Sequence, residues 1–94
     1  MGFRQVLYWL IAGTRGGANR ARILISIHSR PSNALQIAKG LKLDYKTVQH
    51  HLEVLTKNGA VYGEGPGYGR VYFLTEESEE LYDEIKNLSK KAAG

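Results

Sequence analysis

Residues 33–59 read NALQIAKGLKLDYKTVQHHLEVLTKNG, and the punctuation of this stretch decides the fold. Asn33 is a side-chain acceptor standing before an apolar run, and Gln36 follows three residues later, which is the spacing of a capping box. A helix over 34–41 is expected, with Leu35, Ala38 and Leu41 facing inward and Ile37 beside them. Asp44 suits the positive start of a second helix over 45–58. Asn58-Gly59 closes it, because Gly59 can take the left-handed conformation. Only Leu41-Lys42-Leu43 joins the two helices. So tight a crossing needs a small residue where the helices approach and an apolar one opposite it. Ala38 and Val48 stand ten residues apart, as that crossing requires. Lys42 occupies the turn position where glycine is usual, at a cost of roughly 1 kcal/mol in the left-handed region.

At about 100° per residue, placing Val48 at zero puts Leu52 near 40° and Leu55 near −20°, which defines the inner side of the second helix. Lys46, Gln49, His50, Glu53 and Lys57 then fall between about 100° and 200°. That side carries hydrogen-bonding groups suited to a major groove. Lysine donates to guanine O6/N7 or to phosphate, and glutamine can pair bidentately with adenine. Tyr45 and Thr47 sit in the first turn, within reach of a backbone or a thymine methyl. His51 is expected to be a packed, hydrogen-bonded residue at the core edge.

Outward from this pair, a helix over 3–12 is apolar on most sides (Phe3, Val6, Leu7, Tyr8, Trp9, Leu10, Ile11), so a partner subunit is expected to cover it. A helix over 17–29 follows, with Ile23, Leu24 and Ile27 inward and Arg20, Arg22 and Arg30 pointing elsewhere. Pro31 ends it, since the residue before proline avoids the helical region. Strands over 60–64 and 70–74 flank the glycine-rich tip Gly65-Pro66-Gly67-Tyr68-Gly69 and read as a hairpin. A last helix over 76–91 is capped by Thr75, with acids first and lysines last. Its narrow stripe Leu81, Ile85, Leu88 is of the kind a helix–helix seam uses. The order α-α-α-α-β-β-α, mainly helical with a small β-hairpin, is that of a winged helix-turn-helix. It is expected as a single domain over 1–94: helix-turn-helix 33–58, wing 60–74, and terminal helices in 1–13 and 75–94 forming a dimer interface. The wing offers Tyr68 and Arg70 to the DNA backbone or to the minor groove, where arginine is favoured. Ser32 and Asn33 lie at a helix start whose N–H groups suit a phosphate.

Residues 34–75, ALQIAKGLKLDYKTVQHHLEVLTKNGAVYGEGPGYGRVYFLT, resemble the winged-helix domain of ArsR-like regulators, especially archaeal members without metal-site cysteines. Val48-Gln49-His50-His51-Leu52, then Leu55 and Gly59, carry the resemblance, with Gly13-Thr14-Arg15-Gly16-Gly17 and Asn19-Arg20 ahead of the second helix. It implies a homodimer built by the terminal helices and repression by occupying a promoter operator.

The charge pattern agrees with a polyanionic partner. Residues 1–58 hold nine Lys/Arg against two acids, and residues 59–94 hold four against seven, summing to +4. With no cysteine, thiolate metal sites are impossible. His50 and His51 are adjacent and diverge by about 100° on a helix, so they cannot chelate together. No HExxH, GxGxxG or GK[ST] pattern occurs. The expectation is therefore no enzyme, no metal and no cofactor, and nothing specifies a small-molecule effector. The apolar opening is shorter than the ~20 residues a membrane span needs and lacks a signal-peptide pattern, so a cytoplasmic, nucleoid-associated protein without membrane contact is expected. The expected function is a dimeric repressor reading a palindromic operator on double-stranded DNA, with helix 45–58 in the major groove and wing 63–70 on the backbone or minor groove. A nonspecific chromatin-like DNA binder and a winged-helix protein-interaction module are the alternatives.

Overall fold

The computed structural model describes residues 2–93; Met1 and Gly94, the ends of the expected 1–94 span, lie outside the described residues. The elements are α1 (Phe3–Ile11), α2 (Gly17–Ser29), β1 (Ser32–Asn33), α3 (Ala34–Leu41), α4 (Tyr45–Lys57), β2 (Val61–Glu64), β3 (Val71–Leu74), α5 (Glu76–Glu80) and α6 (Tyr82–Ala93). The fold is mainly helical with a small antiparallel sheet, a winged helix-turn-helix as expected.

The local signals act as chemistry dictates. The capping box forms in full: Asn33 Oδ1 accepts from the Gln36 N–H at 2.9 Å, and Gln36 Oε1 accepts from the Asn33 N–H at 3.0 Å. Asp44 caps α4 by accepting from the Lys46 and Thr47 N–H groups. Lys42 takes the left-handed conformation with φ 58°, the non-glycine strain that a three-residue turn imposes. Ala38 and Val48 meet in the core, alongside Leu52 and Leu55 of α4 and Ile23, Leu24 and Ile27 of α2.

Four features differ from the sequence reading. Leu35 is 48% exposed, because the true inner stripe of α3 is Ala34, Ile37, Ala38 and the half-buried Leu41, at helical spacing i, i+3, i+4, i+7. Arg20 does not point away; it is 5% exposed and packed inside. The hairpin gains a third strand, since Ser32 and Asn33 pair antiparallel with Tyr72 and Val71, giving the order β1-β3-β2. The last helix is broken at Leu81 into α5 and α6. At the break the Tyr82 ring stacks on His28 with centroids 3.5 Å apart, and Glu79 contacts His28 Nδ1 at 2.7 Å. The stripe on α6 is consumed within the chain: Ile85 and Leu88 are buried as α6 packs on α1 and α2.

Two side-chain hydrogen bonds, one from the buried Ser78 and one from the half-buried Thr75, fasten the turn after α4 to the start of α5. Ser78 Oγ donates to the Ala60 carbonyl at 2.7 Å, and Thr75 Oγ1 donates to the Gly59 carbonyl at 2.7 Å. At the other end of the molecule, Gly17 lets α2 start directly against the last turn of α1. A Cβ at Gly17 would overlap the Ile11 carbonyl oxygen, a backbone atom that cannot rotate away. Gly17→Ala is therefore expected to destabilise the protein by about 3 kcal/mol or more, at the upper end of overpacking costs. A denaturant midpoint measured beside that of Gly40→Ala, where an added Cβ meets nothing within 4 Å, checks this: the first should fall sharply and the second should not.

Candidate nucleic-acid interface

The outer side of α4 presents Lys46, Thr47, Gln49, His50, Glu53 and Lys57, all exposed. Tyr45 is half-buried at its base, and its hydroxyl accepts from Gln49 Nε2 at 3.1 Å. That bond steadies the Gln49 amide near the helix start. Lys57 lies about 16 Å along the axis from Lys46 at 1.5 Å per residue, a little more than the ~12 Å width of a major groove.

The wing closes over this helix. Its tip carries a 3-10 turn at Gly67–Gly69. Tyr68 is 86% exposed there. Asn33, Leu35, Tyr45, Tyr68 and Gly69 surround a cleft of about 490 Å3, so the starts of α3 and α4 and the wing tip meet. Arg70 lies over α4, sharing clefts with Gln49, Glu53 and Lys57. Its guanidinium is held in place: Nη1 donates to the Gly65 carbonyl at 2.7 Å, and the side chain crosses β2 at Gly63, where a Cβ would strike its Nε. Gly63 thus makes room for Arg70.

Ser32 and Asn33 are less free than their positions in the sequence imply. Ser32 is nearly buried, and its hydroxyl donates to the Arg30 carbonyl at 3.0 Å. Asn33 spends its Oδ1 and its N–H on the capping box, leaving its side-chain NH2. The structure therefore places Asn33, Tyr45, Gln49, Lys57, Tyr68 and Arg70 along the clefts beside the wing and leaves Lys46, Thr47 and His50 exposed on α4, with Ser32 nearly buried. Leu35 belongs to this side and escaped the sequence reading. Its signal was present, since Leu35 falls off the Ala34-Ile37-Ala38-Leu41 stripe.

Behind α4 stands a polar network that positions it. Arg20 Nε donates to the Leu10 carbonyl at 2.7 Å, and its Nη2 donates to Thr14 Oγ1 and, at 3.2 Å, to the Arg15 carbonyl. Its Nη1 lies 3.5 Å from His51 Nδ1. Arginine only donates, so Nδ1 is the acceptor and carries no proton. Burial, then the Arg20 charge, then His50 push the His51 imidazole below the ordinary histidine value. Burial likewise lowers Arg20, which stays charged at any working pH. Among the described residues no group of three or more His, Asp or Glu could hold a metal ion, and no helix is long and apolar enough to cross a membrane.

A recognition helix with an open polar side, packed behind a helix-turn-helix crossing and flanked by a wing, defines a class of DNA-binding regulators. Residues 20–93 match the winged helix-turn-helix family, and the chain belongs to it. Comparison with curated proteins gives no match.

The His51 shift has a direction that can be measured. The native state resists protonation at His51 while the unfolded chain does not. Its contribution to stability is therefore unchanged above the ordinary value of about 6.5 and is lost as pH falls from there toward the lower native value. Urea midpoints at pH 7.5 and pH 5.0 should show a smaller acid loss in His51→Asn, whose amide oxygen can still accept from Arg20, than in the unaltered protein. Equal losses would contradict this.

Proposed function

We propose that this protein is a sequence-specific transcriptional repressor of the ArsR-like, archaeal type, acting as a homodimer of single-domain chains in the cytoplasm. In this reading α4 enters the major groove. Lys46, Gln49 and His50 meet base edges there, Tyr45 and Thr47 lie toward the near strand, and Lys57 meets the far rim. Tyr68 and Arg70 follow the backbone or minor groove beside it, and Asn33 meets phosphate at the start of α3. The protein occupies its operator and needs neither catalysis nor a cofactor.

The observation that carries the reading is the open outer side of α4. Every polar residue expected there is exposed, while Val48, His51, Leu52 and Leu55 on the opposite side are buried. Of the terminal-helix residues the sequence favours for the dimer, Ile85 and Leu88 are already covered within the chain, and the exposed aromatics of α1, Tyr8 at 55% and Trp9 at 49%, are what a second copy would bury.

Replacing Lys46, Gln49 and His50 together with alanine tests the reading. One bidentate base contact discriminates by about 1–3 kcal/mol, and 1.4 kcal/mol is tenfold. Affinity for the preferred duplex should thus fall by about 10²-fold or more, while affinity for random duplex falls much less. An unchanged ratio between the two would remove α4 as the reader.

A further inference from the structure

A second groove, of about 690 Å3, runs between α2 and α3, away from the outer side of α4. Arg22, Arg30 and Lys39 line it, Ile25 and Leu41 give it a half-buried apolar floor, and no carboxylate is among its lining residues. Arg22 is anchored, with Nη2 donating to the Leu41 carbonyl at 2.9 Å and Nη1 to Asn19 Oδ1 at 3.1 Å. Arg30 and Lys39 are exposed, and neither has an ion-pair partner among the described residues. Three like charges gathered without a counter-charge raise the local potential and attract a polyanion.

The groove adjoins the DNA-facing side at the start of α3. Gln36 and Ser32 line it at the start of α3, and the neighbouring Asn33 lines the cleft under the wing. A phosphodiester strand carries one charge about every 3.4 Å of axis, which a row of separated cations can follow, and the apolar face of deoxyribose suits the floor. The longest dimension of the molecule, 31 Å, spans about nine base pairs at 3.4 Å each. A duplex of several helical turns seated on α4 therefore extends beyond the molecule on its flanks.

We infer that the groove between α2 and α3 holds the DNA backbone flanking the segment read by α4, so that the duplex curves past the start of α3 onto Arg30, Lys39 and Arg22. This rests on the proposed function, because it extends the same interface. It assigns a role to three cations outside α4 and the wing.

The test uses Arg30→Gln/Lys39→Gln, which spares Arg22 and its backbone bond, with a thermal melt to verify folding. Binding is measured against salt concentration on a duplex of about four helical turns (~40 base pairs), with hydroxyl-radical footprinting of the same complex. Each lost phosphate contact lowers the slope of log affinity against log salt by about one. The expected result is a slope smaller by about four, two for each chain of the proposed dimer, loss of protection at both flanks, and unchanged base preference. An unchanged slope and footprint would overturn the inference, including the case where the groove takes an acidic peptide instead. If the unaltered protein bound no duplex at all, the proposed function would fall with it. Normal binding and base preference with an unchanged slope would sink the groove alone.

Discussion

The structure depends on how one buried cation is satisfied. Arg20 sits inside the protein with no carboxylate facing it among the described residues, and an uncompensated interior charge is very costly. Its compensation comes from oxygens: the Leu10 carbonyl in the last turn of α1, the Thr14 hydroxyl and the Arg15 carbonyl. The last turn of a helix is its negative pole, so a guanidinium placed there both caps orphan carbonyls and meets favourable potential. These bonds fix the corner between α1 and α2, where Gly17 already brings the helices into backbone contact. The remaining nitrogen, Nη1, reaches His51 on the inner side of α4. The helix proposed to read DNA is thus held from behind by the same residue that locks the N-terminal corner. That arrangement works only while His51 is neutral.

Much of the fold was legible in the sequence because its signals are local. Pro31 ends α2, Asn33 with Gln36 starts α3, and Asp44 starts α4, all as read; α4 stops one residue early because Asn58 serves as its C-cap. The features that were not legible are made by partners distant in sequence. A two-residue strand at Ser32–Asn33 exists only through pairing with Val71 and Tyr72. The break at Leu81 accompanies the contacts of Glu79 and Tyr82 with His28, a residue on another helix. The stripe Ile85-Leu88 predicted a packing surface correctly, but periodicity alone does not say whether the surface is filled by α2 or by a second chain. Arg20 was missed through residue type. It stands at helical spacing with Ile23, Leu24 and Ile27, and its charge argued it outward although its position argued it inward.

The candidate site shows the same division. The open side of α4 follows from a helical wheel, because Val48, Leu52 and Leu55 define what must be inside. The wing could be recognised from its glycines, but not the way its tip meets Leu35 and Tyr45, nor the seat that Gly63 provides for Arg70. The excess of positive charge in residues 1–58 was plain, yet composition could not sort it. In three dimensions it separates into a buried cation (Arg20), a cation paired with Glu84 (Arg4), two on the outer side of α4 (Lys46, Lys57), three around the groove between α2 and α3 (Arg22, Arg30, Lys39) and two exposed in turns (Arg15, Lys42).

In the proposed function the outer side of α4 reads base sequence, and does so twice in a symmetric pair of chains. Selecting bound duplexes from a random pool and sequencing them tests this most directly. The expected result is enrichment of an inverted repeat whose half-site centres lie about one helical turn, or a multiple of it, apart. Recovery of bound duplexes with no enriched sequence would contradict it.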